Sequence, residues 1–77
     1  MVTVTVARET GNSVEFGYGV YMNAYVTFDD FPDDIPVLYA SECVPFGNNS
    51  EENLEAAAVR VREAAIAKAK RDYQDGI

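Results

Sequence analysis

From Val14 to Phe28 the chain reads VEFGYGVYMNAYVTF, and every even position in it is apolar. Val14, Phe16, Tyr18, Val20, Met22, Ala24, Val26 and Phe28 alternate with Glu15, Gly17, Gly19, Tyr21, Asn23, Tyr25 and Thr27. A period of two is the pattern of a half-buried strand, so this stretch is expected to form the wall of the core. Val2, Val4 and Val6 alternate with Thr3, Thr5 and Ala7, which predicts a short β-branched strand ahead of it. Between the two, Glu9-Thr10-Gly11-Asn12-Ser13 collects turn formers. The strands are therefore expected to close as a hairpin that sets the valines against Val14, Phe16 and Tyr18. Gly17-Tyr18-Gly19 inside the long strand marks a bulge or bend that curves the sheet; the alternative is backbone left open for a ligand's close approach.

Asp29-Asp30-Phe31-Pro32-Asp33-Asp34-Ile35-Pro36 breaks the alternation and reads as an acidic loop. Val37 to Val44 then reads as a third strand of ambiguous register, with either Leu38, Ala40 and Val44 or Val37, Tyr39 and Cys43 facing in. The second choice is preferred because it leaves Glu42 in water. Pro45-Phe46-Gly47-Asn48 ends the sheet, and a helix opens with Asn49 as N-cap, which puts Glu52 at N3. From there to about Tyr73 no glycine or proline interrupts a run rich in Ala, Glu, Arg and Lys, and Gly76 follows as a stop. Leu54, Ala57, Ala58, Val61, Ala65 and Ala69 share one side of that helix, with Val59, Ile66 and Tyr73 on a flank. A helix of about 24 residues is about 36 Å long, whereas an eight-residue strand covers about 26 Å. About two turns, bearing Ile66, Ala69 and Tyr73, are thus expected to overhang the sheet.

Charge changes the picture from fold to partner. The 77 residues carry a net charge of −7, unevenly spread. Residues 1–59 hold one basic group, Arg8, against ten acidic ones, whereas residues 60–77 hold five basic groups against three. A phosphate backbone is repelled by most of such a molecule, while a basic protein surface is attracted. The chain has no histidine, so the usual general base at neutral pH and the commonest metal ligand are missing. The lone Cys43 has no activating group near it in the sequence and reads as a buried structural thiol suited to a reducing compartment. The aspartates at 29, 30, 33 and 34 lack the alternation, the glycine and the closing glutamate of an EF-hand, and Pro32 stands where its turn would be. No stretch reads as a signal peptide or a membrane span, which makes cytoplasm the expected location. A domain of this size buries only about 60 % of its unfolded surface, so a partner or a second copy is a natural supplement.

The order β-β-β-α with an Ala-rich last helix is similar to the final four elements of double-stranded-RNA-binding domains. That family sets a basic cluster at the start of its last helix, where this chain has Asn49-Ser50-Glu51-Glu52, so RNA binding does not carry over. Phe31-Pro32-Asp33 followed by Ser50-Glu51-Glu52-Asn53-Leu54-Glu55-Ala56-Ala57 resembles the HicB-type antitoxin domain, a sheet and helix that cover a basic toxin; the spacing is longer here, and the DNA-binding segment of many such proteins is absent. In size, acidity and lack of a catalytic kit the chain resembles small phage-encoded inhibitors of host defence, anti-CRISPR proteins among them. That resemblance implies a class of action and names no target.

The expectation is a single two-layer α+β domain over residues 1–77: a three-stranded antiparallel sheet in meander order (β-β-β-α) with one long C-terminal helix packed on one face. Its expected function is that of a non-enzymatic inhibitor occupying a basic, nucleic-acid-binding surface of a partner protein, sterically or as a DNA mimic with carboxylates where phosphates would lie. Asp29, Asp30, Asp33 and Asp34, with Glu15 and Glu42, supply charge; Tyr21 and Tyr25, on the sheet face away from the helix, are the aromatic anchors. No catalytic, cofactor or metal residue is expected. The alternative is a structural module that homodimerises through the overhanging helix or an open sheet edge.

Overall fold

A computed structural model describes residues 2–28 and 35–75. The chain forms strands β1 (Val2–Ser13), β2 (Gly17–Phe28) and β3 (Val37–Pro45), then helix α1 (Glu51–Asp75). The strands make one antiparallel sheet in the order β1-β2-β3, and α1 packs across one face of it. This is the expected α+β architecture. The acidic stretch 29–34 lies outside the described residues.

The hairpin is longer than the turn-former count implies. Glu9 to Ser13 belong to β1, and Val14, Glu15 and Phe16 make the turn. Gly17 closes it at φ 76°, a left-handed conformation that glycine adopts freely, and the Ser13 hydroxyl accepts the Phe16 amide at 2.9 Å. Moving the turn moves the register: Val2, Val4 and Val6 lie opposite Phe28, Val26 and Ala24, not opposite Val14, Phe16 and Tyr18. This register lets all twelve residues of each strand pair and puts the valines beside the most buried part of β2. The expected core wall is correspondingly half right. Met22, Ala24 and Val26 are buried, whereas Val14, Phe16 and Tyr18 stand in water on hairpin that projects past the start of the helix.

β3 resolves its ambiguous register by using both. A bulge opposite Ala24 and Tyr25 adds Tyr39, so Val37 opposes Val26 on one side of it and Ala40, Glu42 and Val44 oppose Ala24, Met22 and Val20 on the other. Tyr39 and Ala40 both pack against the core. The cost of the switch falls on the two residues that the preferred register had placed otherwise: Cys43 turns away from the helix, and Glu42 turns toward it, where Arg60 of α1 pairs with its carboxylate.

Pro45-Phe46-Gly47-Asn48 is a β-turn closed by Asn48 N–H to the Pro45 carbonyl at 3.0 Å, with Gly47 at φ 102°. Ser50, not Asn49, caps the helix. Its carbonyl accepts the first helical bond from Leu54 at 2.9 Å and its hydroxyl accepts the Asn53 amide at 3.2 Å, while Asn49 bends back to the Gly47 amide. Leu54, Ala57, Val61, Ala65 and Ala69 are buried along the expected stripe, Ala58 and Ile66 are half-buried, and Val59 is exposed. Small residues on that line let the helix approach the sheet closely, so Met22 and Val26 are the two large side chains left fully covered. The expected overhang of α1 is absent through Ala69, which is fully buried, because the β1–β2 strands run to twelve residues and not eight. Strands of that length reach about 40 Å, as long as the helix. The side chain of Tyr73 lies outside the described part.

Candidate protein-binding face

One face of the sheet carries the helix, and among the described residues no element packs on the other. The odd residues of β2 line the bare face: Tyr21, Asn23, Tyr25 and Thr27, flanked on β1 by Glu9, Ala7, Thr5 and Thr3 and on β3 by Cys43, Ser41 and Leu38. Glu9 is the sole charged side chain among these eleven, in a chain that is 25 % charged.

A hydrogen-bonded chain crosses this face. The Glu9 carboxylate on β1 accepts Asn23 Nδ2 from β2, and the Ser41 hydroxyl on β3 donates to Asn23 Oδ1 at 2.6 Å. A carboxylate only accepts, so the Asn23 amide must turn its NH₂ to Glu9 and its oxygen to Ser41. Tyr25 adds a second donor to the same carboxylate oxygen of Glu9, at 3.3 Å. Tyr21 donates to the Gly17 carbonyl at 2.6 Å and lies 2.8 Å from Ser13 Oγ, whose own proton completes that bond. Both tyrosine rings are half-buried with their hydroxyls held, and Asn23 beneath them is only 8 % exposed. Among the described residues no buried side-chain nitrogen or oxygen lacks a partner. The side chains of this face are thus held in place by one another, and they present tyrosine rings around one carboxylate.

The expected site residues do not form one cluster. Tyr21 and Tyr25 are on the bare face as anticipated. Glu15 sits in the hairpin turn before Gly17, at the opposite end of β2 from Phe28, after which the acidic stretch begins; Asp29, Asp30, Asp33 and Asp34 fall outside the described residues. Glu42 is on the helix side, where the hydrogen bond from Arg60 holds its carboxyl below the ordinary carboxylate value against the opposing effect of partial burial. Glu9 is the residue that sequence reading missed. Its place among turn formers concealed that a twelve-residue β1 would set it beside Tyr21 and diagonal to Asn23, two residues further along β2.

Gly19 and Cys43 explain each other. A Cβ on Gly19 would stand 2.6 Å from the Val44 carbonyl and 2.7 Å from Cys43 Sγ, so the space that the sequence left open for a ligand is taken by β3 itself. Cys43 is half-buried against that glycine and is not the inward-facing core thiol expected. Comparison with protein families, with curated proteins and with solved structures gives no match to the chain.

Proposed function

We propose that this chain is a non-enzymatic protein-binding inhibitor that covers a basic surface of a nucleic-acid-handling partner with the bare face of its sheet. The observation that carries the reading is the Glu9 carboxylate fixed by Asn23 and Tyr25 in the middle of an otherwise uncharged face. A guanidinium from the partner meets there a preorganised acceptor with a free lone-pair direction and, beside it, the rings of Tyr21 and Tyr25. Aromatic rings around a desolvated charge pair are the usual composition of an interface hot spot. The net charge of −7 steers a basic partner in, and the acidic residues outside the face act at that longer range. Glu15 and Glu42 stand on other parts of the surface, which favours occupation by the face over imitation of a phosphate row.

The test is capture from nuclease-treated bacterial lysate on the immobilised chain, with elution by a salt gradient, and the affinity of the captured protein measured for wild type and variants. Glu9→Gln and Tyr25→Ala are each expected to weaken binding at least tenfold, given about 1.5–3 kcal/mol for a hydrogen bond to a charged group. Asp33→Lys with Asp34→Lys is expected to slow association with little change in dissociation. Unchanged affinity in both face variants refutes the reading. Recovery of the chain alone, as a salt-stable dimer, favours the assembly module in its place.

A further inference from the structure

On the far side of β1 the sheet ends in an open edge, and the flank of α1 runs along it. Val2, Val4, Arg62, Ile66 and Lys70 line a groove of about 330 Å³ between the two. We propose that this groove binds an extended acidic segment of a second protein, added to β1 as a fourth strand. The surface is distinct from the bare face and does not depend on what that face binds.

Three observations converge on this occupant. The first is the edge itself: among the described residues β1 has β2 on one side only, and Val2 to Ala7 carry no charge or proline to discourage pairing. The second is charge. Arg62 and Lys70 bring two cations to one groove of a chain whose net charge is −7, and among the described residues neither is ion-paired. Arg62 instead donates to the Val4 carbonyl at 3.3 Å, so its guanidinium stands over the edge where an incoming amide would donate. A carboxylate on the incoming strand draws that guanidinium away and leaves the carbonyl to the new backbone.

The third is spacing. Arg62, Ile66 and Lys70 recur every four residues, about 6 Å apart along the helix, and alternate residues of a strand recur at about 6.6 Å. A strand laid beside β1 therefore matches the row with carboxylate, apolar and carboxylate side chains at positions i, i+2 and i+4. Copies of a chain this acidic repel one another, which favours a different protein as the source. The chain's own Asp29-Asp30-Phe31-Pro32-Asp33 has the same spacing in sequence, so self-association is the competing occupant that the experiment has to separate.

The probe is the acetylated, amidated peptide Thr-Glu-Thr-Val-Thr-Glu-Thr, titrated into the full chain and followed by amide chemical shifts. Saturable binding is expected, with the shifts confined to β1 and the flank of α1. Arg62→Gln with Lys70→Gln, both exposed changes that keep the wild-type melting temperature, is expected to weaken it at least tenfold, as is replacing both peptide glutamates by glutamine. Equal affinity for the glutamine peptide, or shifts on β3, overturns the proposal. So does a peptide-free dimer in sedimentation that disperses on Asp29→Asn with Asp33→Asn, because a second copy then holds the groove.

Discussion

Met22 and Asn23 are neighbours on β2, and both are withdrawn from water, at 1 % and 8 % exposure, yet different materials cover them. Met22 lies under the helix in a cluster with Val26, Leu54, Ala57 and Val61. Among the described residues Asn23 has no layer over it, and it is covered by side chains of its own sheet: Glu9, Tyr25 and Ser41, each bonded to it or to its partner. The first side is held by non-directional burial and tolerates change of shape poorly; the second is held by directed bonds and tolerates loss of a partner poorly. A face of the second kind keeps its rings and its carboxylate reachable while their positions are set, which is what the proposed binding to a partner protein would draw on.

Substitutions separate the two kinds of burial. Met22→Ala is expected to have the largest effect, a loss of about 2–5 kcal/mol, because the small residues on α1 leave little that could collapse into the space. Urea unfolding should show it as a lower midpoint at unchanged slope. A loss below about 1 kcal/mol would mean that the helix face is loosely packed and the contrast is false. Gly19→Ala comes next, at about 1–3 kcal/mol, because its Cβ meets the backbone carbonyl of Val44 as well as the movable thiol of Cys43. Gly19→Ala with Cys43→Ala should recover only the thiol's share, which tells backbone crowding from side-chain crowding. Asn23→Ala is expected to cost about 1–3 kcal/mol through the orphaned Ser41 and Glu9 groups, although it removes almost no apolar surface. If Asn23→Leu is as stable as wild type, the hydrogen-bonded chain serves the surface and not the fold.

Most of the helix was legible in the sequence, and the reason is local. An unbroken 3.6-residue stripe of Leu54, Ala57, Val61, Ala65 and Ala69 needs no knowledge of the sheet to be read, and the structure buries all five. The strands were legible in number and order but not in extent. Gly11, Asn12 and Ser13 favour a turn by propensity, and the gain from pairing twelve residues on each strand overrides it. The register of β3 could not be read because a bulge makes each alternative true for part of the strand. The bare face was half legible for the same reason. Tyr21 and Tyr25 follow from alternation alone, whereas Glu9 enters only once the hairpin register is known.

Glu42 tests the smallest difference between the faces, since it is an acidic residue on the side that carries the apolar core, where Arg8 is paired to Glu51 in the same way. Its partner Met22 is fully buried, but the Glu42 side chain remains about one-third exposed, and Arg60 reaches it from the solvent edge of the helix. The hydrogen bond from Arg60 lowers its pKa below the ordinary value of 4.5. A carboxyl depressed by folding stabilises the native state above its unfolded pKa, and that contribution is lost as pH falls through the lower, folded value. Wild type should therefore exceed Glu42→Gln in melting temperature by a small, constant margin from about pH 6 upward, and the margin should shrink steadily below about pH 4.5. It should also shrink in concentrated salt, because the pair is near the surface. A margin that persists unchanged at pH 3 would mean that Glu42 acts through the packing of its stem over Met22 and not through its charge, and the two faces would then differ less than their composition implies.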